Sequence, residues 1–145
     1  MDIDTTTLGP VEIDENRIIA FIAPMPGMEA GGTKFALLDF NPANPVKLLQ
    51  SVEVPSVCFL VGDPGVLVPD YKVELAAETA KDLGIGDLSD AAVMIVLTVL
   101  GDEEGNTTAN LKAPIVVNRR NFKAAQVILP GQTYPLRRPV GVKKA

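Results

Sequence analysis

Apolar and β-branched residues recur along the chain in short runs that are separated by clusters of Pro, Gly, Asn and Asp. Runs of this length, bounded by turn residues, are typical of β-strands. The pattern predicts strands at residues 11–13, 17–21, 34–40, 46–52, 56–61, 91–100, 107–111, 114–118 and 125–129, with 71–75 as a further short strand. The run 91–100 is apolar at consecutive positions, which favours a strand buried on both faces.

The connections between these strands are marked by residues that break regular structure. Residues 14–16 read Asp-Glu-Asn and predict the turn of an opening hairpin between 11–13 and 17–21. Pro55 fits the start of a strand or a bulge, because proline cannot donate to a sheet ladder. Pro114 follows Ala113 and predicts a sharp break between the two strands on either side of it.

One segment has helical periodicity. Ala76, Ala80 and Leu83 lie on one face at spacings of four and three residues, and Gly84 can end the helix in the left-handed conformation. Residues 87–90 predict a second helical turn or loop. About nine short strands with one short helix, and no alternation of strand and helix, indicate a mainly-β, compact barrel or roll. We expect one domain over residues 1–130 and a basic, flexible tail over 131–145.

Composition excludes several kinds of chemistry. The chain has no His, which removes Ser-His-Asp and Cys-His mechanisms as well as His-ligated zinc. It has a single cysteine, Cys58, in an apolar run, so we expect a core thiol and no internal disulfide. The N-terminus is acidic and polar, and the longest apolar run is shorter than the roughly 20 residues of a membrane helix. We therefore expect a cytoplasmic protein that binds no membrane and needs no cofactor or metal.

Charge is distributed unevenly along the chain. The first 104 residues carry a net charge of −13 and the rest a net charge of +8, which together give −5. Such an asymmetry indicates either a charged partner or acidic and basic strands that lie side by side in the fold. The sequence alone leaves both interpretations open.

Three blocks in the sequence resemble the FliW family of flagellar assembly factors. The first, at residues 107–129, reads TTANLKAPIVVNRRNFKAAQVIL and is similar to the family signature T-x-N-L-x-A-P-I-V-[IV]-N followed by Q-V-[IV]-L. The second, at residues 50–71, reads QSVEVPSVCFLVGDPGVLVPDY, and the third, at residues 21–29, reads FIAPMPGME. The blocks keep the family order and cover most of residues 2–139, which makes the resemblance specific.

The resemblance implies both a fold and a function. FliW proteins are single β-barrel-like domains that bind newly made flagellin in the cytoplasm. When flagellin is secreted, the freed protein binds the translational repressor CsrA and relieves repression of flagellin messenger RNA. The implied partners are CsrA and flagellin, the implied mode on CsrA is non-competitive, and we expect a monomer that is not an enzyme.

The family blocks also supply the candidate partner-binding residues. They are Met28, Glu29, Asp63, Val66, Leu67, Asp70, Tyr71, Asn110 and Asn118. Among them, Met28, Val66 and Leu67, together with Val68, are exposed apolar candidates for the wall of a groove that takes an amphipathic helix. The acidic N-terminal part of the chain could attract CsrA, which carries the basic surface of an RNA-binding protein.

Two other functions remain as alternatives. Arg119, Arg120, Lys123 and the basic tail could bind RNA, because cations displace counterions from phosphates. The nearby aromatic residues are few, only Phe122 and Tyr134, and the protein as a whole is acidic. A small hydrolase or isomerase could use Asp63, Asp70 or Tyr71, although the sequence offers no nucleophile and base beside them.

Overall fold

A computed structural model of the chain describes residues 1–6, 8–25, 29–38, 43, 45–73, 75–99, 107–129 and 134–140, with Leu88 and Val99 described by their backbone alone. The strands in this part of the chain are β1 (Asp2–Thr5), β2 (Gly9–Glu12), β3 (Ile19–Phe21), β4 (Lys34–Leu38), β5 (Val46–Ser51), β6 (Cys58–Gly62), β7 (Ala91–Val99), β8 (Thr107–Asn118), β9 (Lys123–Gln126) and β10 (Arg138–Pro139). The α-helices are α1 (Pro64–Leu67) and α2 (Ala77–Leu83). Short 3-10 turns cover Glu15–Arg17, Glu29–Gly31 and Leu88–Asp90.

Seven of these strands close into a barrel in the order β8-β7-β6-β5-β4-β3-β9, and β9 pairs again with β8. Neighbouring strands are antiparallel except for β3 and β9, which are parallel. The short strand β10 adds to the first half of β8, and β1 pairs with β2 in a separate hairpin. The predicted mainly-β barrel is therefore confirmed.

The barrel interior is one apolar core. Phe35 is fully buried, and its ring meets the rings of Phe21 and Phe59 at centroid distances of 5.4 and 5.9 Å. Leu49 and Ile115, both 0 % exposed, belong to the same cluster. Burying one such side chain contributes about 1.5–3 kcal/mol, so this core is the main source of barrel stability.

Three smaller clusters cover parts of the outer barrel surface. Ile3 of the β1–β2 hairpin packs with Ala36 and Leu38 of β4. Val68 and Val140 pack with Ile95 of β7 and Leu111 of β8. Leu83 of α2 packs with Ile85 and Val116. As predicted for residues 91–100, β7 is packed on both faces, because Met94 belongs to the inner core and Ile95 to an outer cluster.

Several sequence-based predictions of elements were wrong. The opening hairpin joins β1 to β2, whereas 17–21 contributes β3, which lies between β4 and β9. In β1, exposed Asp alternates with buried Ile and Thr, as expected for a strand. The segment was not predicted as a strand because it is short and acidic. Residues 71–73 and 75 are not a strand, since they cross the outer face of the barrel. Pro64–Leu67 form the short helix α1, which the sequence pattern did not predict.

The predicted break at Pro114 is also absent, and β8 runs through it as one strand. Helix α2 and its left-handed Gly84, with φ of 72°, match the prediction, as does the helical turn at Leu88–Asp90. Residues 134–140 of the predicted tail pack on the barrel through Tyr134 and Val140, and the division of the chain at residue 130 stays a prediction. The rest of the predicted tail, 131–133 and 141–145, lies outside the described residues.

No helix in the part of the chain that the structure describes has the length and apolar character needed to cross a membrane.

Candidate partner-binding surfaces

The long strand β8 contains a wide bulge at residues 111–114, which we call the β8 bulge. Val96 pairs with Asn110 and Met94 pairs with Ile115, so the four residues of the bulge lie opposite the single residue Ile95. This irregularity accommodates Pro114, which has no N–H to give to the ladder. It explains why the strand continues through a proline that predicts a break.

Every backbone N–H and C=O group of residues 111–114 has a hydrogen-bond partner. The Asn110 side-chain oxygen accepts the N–H groups of Lys112 and Ala113 at 3.1 and 3.2 Å. The Gln126 amide donates to the Ala113 carbonyl at 3.1 Å. Two further groups bond to segments that lie along the edge of β8 away from β7: the Leu111 N–H donates to the Pro135 carbonyl, and the Lys112 carbonyl accepts the Leu129 N–H. Asn110 therefore shapes the bulge.

Tyr71 supplies the last of these partners. Its hydroxyl donates to the Leu111 carbonyl at 2.5 Å, and its ring stands edge-on to the ring of Tyr134 with centroids 4.7 Å apart. Burial, with a smaller contribution from Tyr134, raises the pKa of Tyr71 to about 12. A hydroxyl that is held protonated and committed to a backbone carbonyl is a poor acid or base at neutral pH.

Asn118, the second predicted asparagine, is buried with 2 % of its surface exposed. Its amide donates to the Leu83 carbonyl at 2.8 Å, and its oxygen accepts the Arg120 N–H at 2.8 Å. The first bond satisfies a carbonyl at the C-terminus of α2, where helices leave such groups without partners. The side chain of Asn118 thus faces the interior and has a structural role, and its part in binding a partner stays a prediction.

Two residues of the second family block, Gln50 and Ser51, also have structural roles. Gln50, which is 2 % exposed, donates to the carbonyls of Ser51, Pro55 and Val57 at 3.0, 3.1 and 3.2 Å. The Ser51 hydroxyl donates to the Gly31 carbonyl at 2.7 Å and accepts two N–H groups from residues 53 and 54. These bonds hold the connection between β5 and β6. Backbone N–H groups of Thr33 and Lys34 lower the pKa of Glu53.

The candidates around α1 divide into structural and exposed residues. Asp63 caps α1 by accepting the Gly65 N–H at 2.9 Å. Leu67 packs into the outer cluster, and Val68 is only 2 % exposed, so the expectation that Val68 forms an exposed groove wall was wrong. Val66 is 60 % exposed, and Asp70 is exposed as well.

An apolar groove of about 220 Å³ lies between α1 and the outer face of β7 and β8. It is lined by Pro64, Gly65, Tyr71, Val73, Leu75, Ala91, Val93 and Val116. Of the candidates, Tyr71 lines this groove directly. Asp63 and Val66 are the residues immediately before and after the lining residues Pro64 and Gly65. Glu29 lies elsewhere, in the exposed turn before Gly31 near Val57, and Met28 lies outside the described residues.

A larger pocket, of about 680 Å³, opens at one end of the barrel beside the β1–β2 hairpin. Ile19, Met94 and Val117 lie on its apolar floor, while Asp14 and Arg17 are among its polar lining residues. The pocket contains both signs of charge and no cysteine or histidine. Among the described residues, no cluster of three or more metal-ligating side chains was found.

The hairpin beside this pocket presents an acidic surface. Asp2 lies directly opposite Glu12, Ile3 opposite Val11, and Asp4 opposite Pro10. Asp2, Asp4 and Glu12 are exposed, whereas Ile3 packs on the barrel. We call the outward surface of Asp2, Asp4 and Glu12 the acidic face. A positive group at its edge is the Met1 ammonium, which donates to the Ile13 carbonyl at 3.2 Å.

Three basic residues lie on the opposite side of the barrel. The hairpin covers β4 and β5, while β8 is separated from β4 by three strands in one direction and two in the other. Lys112, Arg137 and Arg138, which are exposed, lie on β8 or beside it. These three residues lie across the fold from the acidic face, whereas Arg17 and Arg119 line the pocket beside Glu12 and Asp14 and Arg120 pairs with Asp90.

The predicted RNA-binding residues form a different arrangement. Arg119 donates its N–H to the Asp90 carbonyl at 2.7 Å, and the Arg120 side chain pairs with the Asp90 carboxylate at 3.3 Å. Phe122 packs against the barrel core, and Tyr134 packs against Tyr71. Because both rings are committed to internal contacts, neither is a free platform for base stacking.

Known proteins resemble this chain in both sequence and structure. The family model described as FliW protein matches residues 2–140. The flagellar assembly factor FliW of Bacillus velezensis is 38% identical over 141 residues, and that of Bacillus subtilis is 36% identical over 141 residues, each covering 97% of both chains. A crystal structure described as that of the flagellar assembly factor FliW is similar with a TM-score of 0.88, 34% identity and 100% coverage of both chains.

Proposed function

The chain belongs to the FliW family of flagellar assembly factors, and on that basis we propose that it works in the cytoplasm by binding two other polypeptides, CsrA and flagellin. In this account it holds flagellin that has not been secreted, and it binds CsrA when flagellin is scarce. Binding CsrA relieves repression of flagellin messenger RNA. The protein acts by occupying its partners and catalyses no reaction.

The observation that carries the proposal for CsrA is the acidic face. Asp2 and Glu12 face each other across the hairpin, and Asp4 lies on the same exposed side. Like charges directly opposite each other on neighbouring strands are destabilising, so the fold carries a cost that a basic partner would relieve. An RNA-binding repressor with a basic surface is such a partner, and complementary charge accelerates its encounter with the protein.

Charge also supports a non-competitive mode on CsrA. A bound domain with a net charge of −5 adds negative potential near the repressor's RNA-binding surface. That potential repels RNA phosphates without requiring the domain to cover the RNA-binding residues. The effect falls off beyond about 8 Å at physiological salt, so it acts on phosphates close to the interface.

Flagellin needs a surface of different character, because an amphipathic helix docks by its apolar face. The groove beside α1, lined by Tyr71, Val73 and Val93 among others, has that character. Val66 and Asp70 are exposed on the chain that leads to it. The two partners would then meet different parts of the barrel surface.

The test is complex formation by the purified protein with the cognate CsrA dimer and, separately, the cognate flagellin. Size-exclusion chromatography with light scattering gives the stoichiometry, and a translation reporter under the flagellin leader gives the effect on repression. Asp2→Lys/Glu12→Lys should weaken the CsrA complex and leave the flagellin complex intact. The matched control is Glu78→Lys/Asp82→Lys on the exposed side of α2, which changes net charge equally. Absence of either wild-type complex at low salt refutes the corresponding half of the proposal.

A further inference from the structure

A mixed apolar and basic surface surrounds the β8 bulge, opposite the acidic face. Ile128 and Leu136 are 59% and 58% exposed, a high value for large aliphatic side chains. Lys112, Arg137 and Arg138 are exposed around them. We call these five residues the basic face, and none of them belongs to the groove beside α1 or to the barrel-end pocket.

Backbone hydrogen bonds bring these residues together. The N–H groups of Val127 and Leu129 donate to the carbonyls of Pro114 and Lys112, which places Ile128 along one edge of the bulge. The Leu111 N–H donates to the Pro135 carbonyl, which places Leu136 beside the bulge along the same edge, because β7 occupies the other edge of β8. Neighbouring chains in a sheet are about 4.8 Å apart, so the segments that carry Ile128 and Leu136 both lie close to Lys112 along this edge.

The surface is held rigidly from beneath. Arg138 pairs with Ala109 in β10, and Val140 donates to the Thr107 carbonyl at 3.0 Å. Tyr134, just before Leu136, is held by Tyr71 and by two hydrogen bonds to the Lys72 backbone at 3.2 and 3.3 Å. A fixed surface loses little conformational entropy when a partner binds.

Charge selects the partner. From residue 105 onward the sequence contains eight basic residues and no acidic one. In the neighbouring segment, exposed Asp70 is offset by exposed Lys72. The basic face repels a basic protein. A purely anionic ligand would make no apolar contact with Ile128 and Leu136. We propose that the basic face is a docking surface for an acidic, amphipathic segment of a partner polypeptide.

The occupant is a segment with aliphatic residues along one side and Asp or Glu along its borders. Its aliphatic side contacts Ile128 and Leu136, while its carboxylates reach Lys112, Arg137 and Arg138. RNA would use the cations alone and would gain nothing from the aliphatic pair. This site is independent of the acidic face, so the proposal stands or falls apart from the proposal for CsrA.

The experiment titrates the ¹⁵N-labelled full-length chain at low salt with three probes. They are an 18-residue helical peptide with Leu on one side and Glu on the other, the same peptide with Lys for Glu, and a single-stranded RNA of similar length. The acidic peptide should shift the amide signals of Lys112, Ile128, Leu136 and Arg137 most. No shifts at these amides, or equal binding of the Lys peptide, or stronger binding of RNA, would each overturn the proposal.

Variants separate the contributions of charge and apolar contact. Lys112→Glu/Arg137→Glu should weaken the acidic peptide by about tenfold, because each reversed charge replaces an attraction by a repulsion. Arg17→Glu/Lys81→Glu changes net charge equally at exposed positions elsewhere and should change affinity by less than about twofold. Ile128→Ser/Leu136→Ser should weaken binding of the peptide while leaving any RNA binding unchanged, and Leu8→Ser/Ile22→Ser, at exposed aliphatic positions elsewhere, is its control. Equal effects of a variant and its control contradict the proposal.

Discussion

Asp2 and Glu12 lie directly opposite each other on the two strands of the N-terminal hairpin, and both side chains are exposed. This pairing concentrates negative charge on the side of the barrel away from the basic residues of β8 and the chain beside it. It links a sequence feature, the acidic first part of the chain, to a defined surface. The like-charge pair also lowers the stability of the free protein, and the size of that effect can be measured.

Glu12→Lys is expected to stabilise the fold and to weaken binding of CsrA. Replacing a like-charge pair with an opposite-charge pair should add about 0.2–1 kcal/mol to the free energy of unfolding, or about 1–4 °C in Tm. Calorimetry of unfolding and of binding measures the two effects. Glu12→Gln should give intermediate values of both. A lower Tm combined with unchanged affinity would contradict this account of the hairpin.

Tyr71→Phe is expected to destabilise the protein by about 1–3 kcal/mol, because the Leu111 carbonyl in the β8 bulge loses its donor. Urea unfolding followed by circular dichroism measures the change. Tyr134→Phe is the matched control, since that hydroxyl bonds to the exposed backbone of Lys72 and its loss should cost less. If Tyr134→Phe proved the more damaging variant, the assigned role of Tyr71 would be wrong.

The same hydroxyl predicts a dependence of stability on alkaline pH. Burial raises the pKa of Tyr71 in the folded protein to about 12, above its ordinary value of 10.0. The stabilisation from its protonated form is complete below about pH 10 and is lost as pH rises toward 12. The difference in unfolding free energy between wild type and Tyr71→Phe should therefore shrink above pH 10. A difference that stayed constant from pH 8 to pH 11 would contradict the shifted pKa.

Asn118→Ala is expected to cost about 1–3 kcal/mol, because it leaves the Leu83 carbonyl and the Arg120 N–H without their partner. Hydrogen exchange should become faster in α2, whose C-terminus Asn118 holds. Asn121→Ala is the control, since its bond to the same carbonyl is longer, at 3.4 Å. Partner affinities should not change in either variant beyond the effect of stability, because the Asn118 side chain faces the interior.

The barrel itself could be predicted from the sequence because the strands are short, apolar and bounded by clear turn residues. Helix α2 was predicted for the same kind of reason, with Gly84 marking its end. The opening hairpin was not, since pairing between β1 and β2 depends on long-range packing of Ile3 that the local pattern does not contain. The continuity of β8 through Pro114 depends on Asn110 in β8 itself and on Tyr71 and Gln126 from two other segments, which no local rule brings together.

The candidate site was harder to predict than the fold. Motif residues such as Asn110 and Asn118 resemble functional positions because they are polar and specific, yet their hydrogen bonds serve the backbone. Gln50 and Ser51, which hold the β5–β6 connection, carried no functional signal beyond their block. The acidic and basic faces were present in the sequence as a charge asymmetry, but only the strand order showed that they lie on opposite sides of the barrel.

The most direct test of the account measures CsrA affinity by calorimetry at about 50 mM and about 200 mM salt, for the wild type and for Asp2→Lys/Glu12→Lys. Wild-type affinity should fall by about tenfold or more between the two salt concentrations, because exposed charges drive the association. The variant should bind more weakly at low salt and should depend less on salt. Wild-type binding that ignores salt, or a variant that binds as tightly as the wild type, would contradict the claim that the acidic face recognises CsrA.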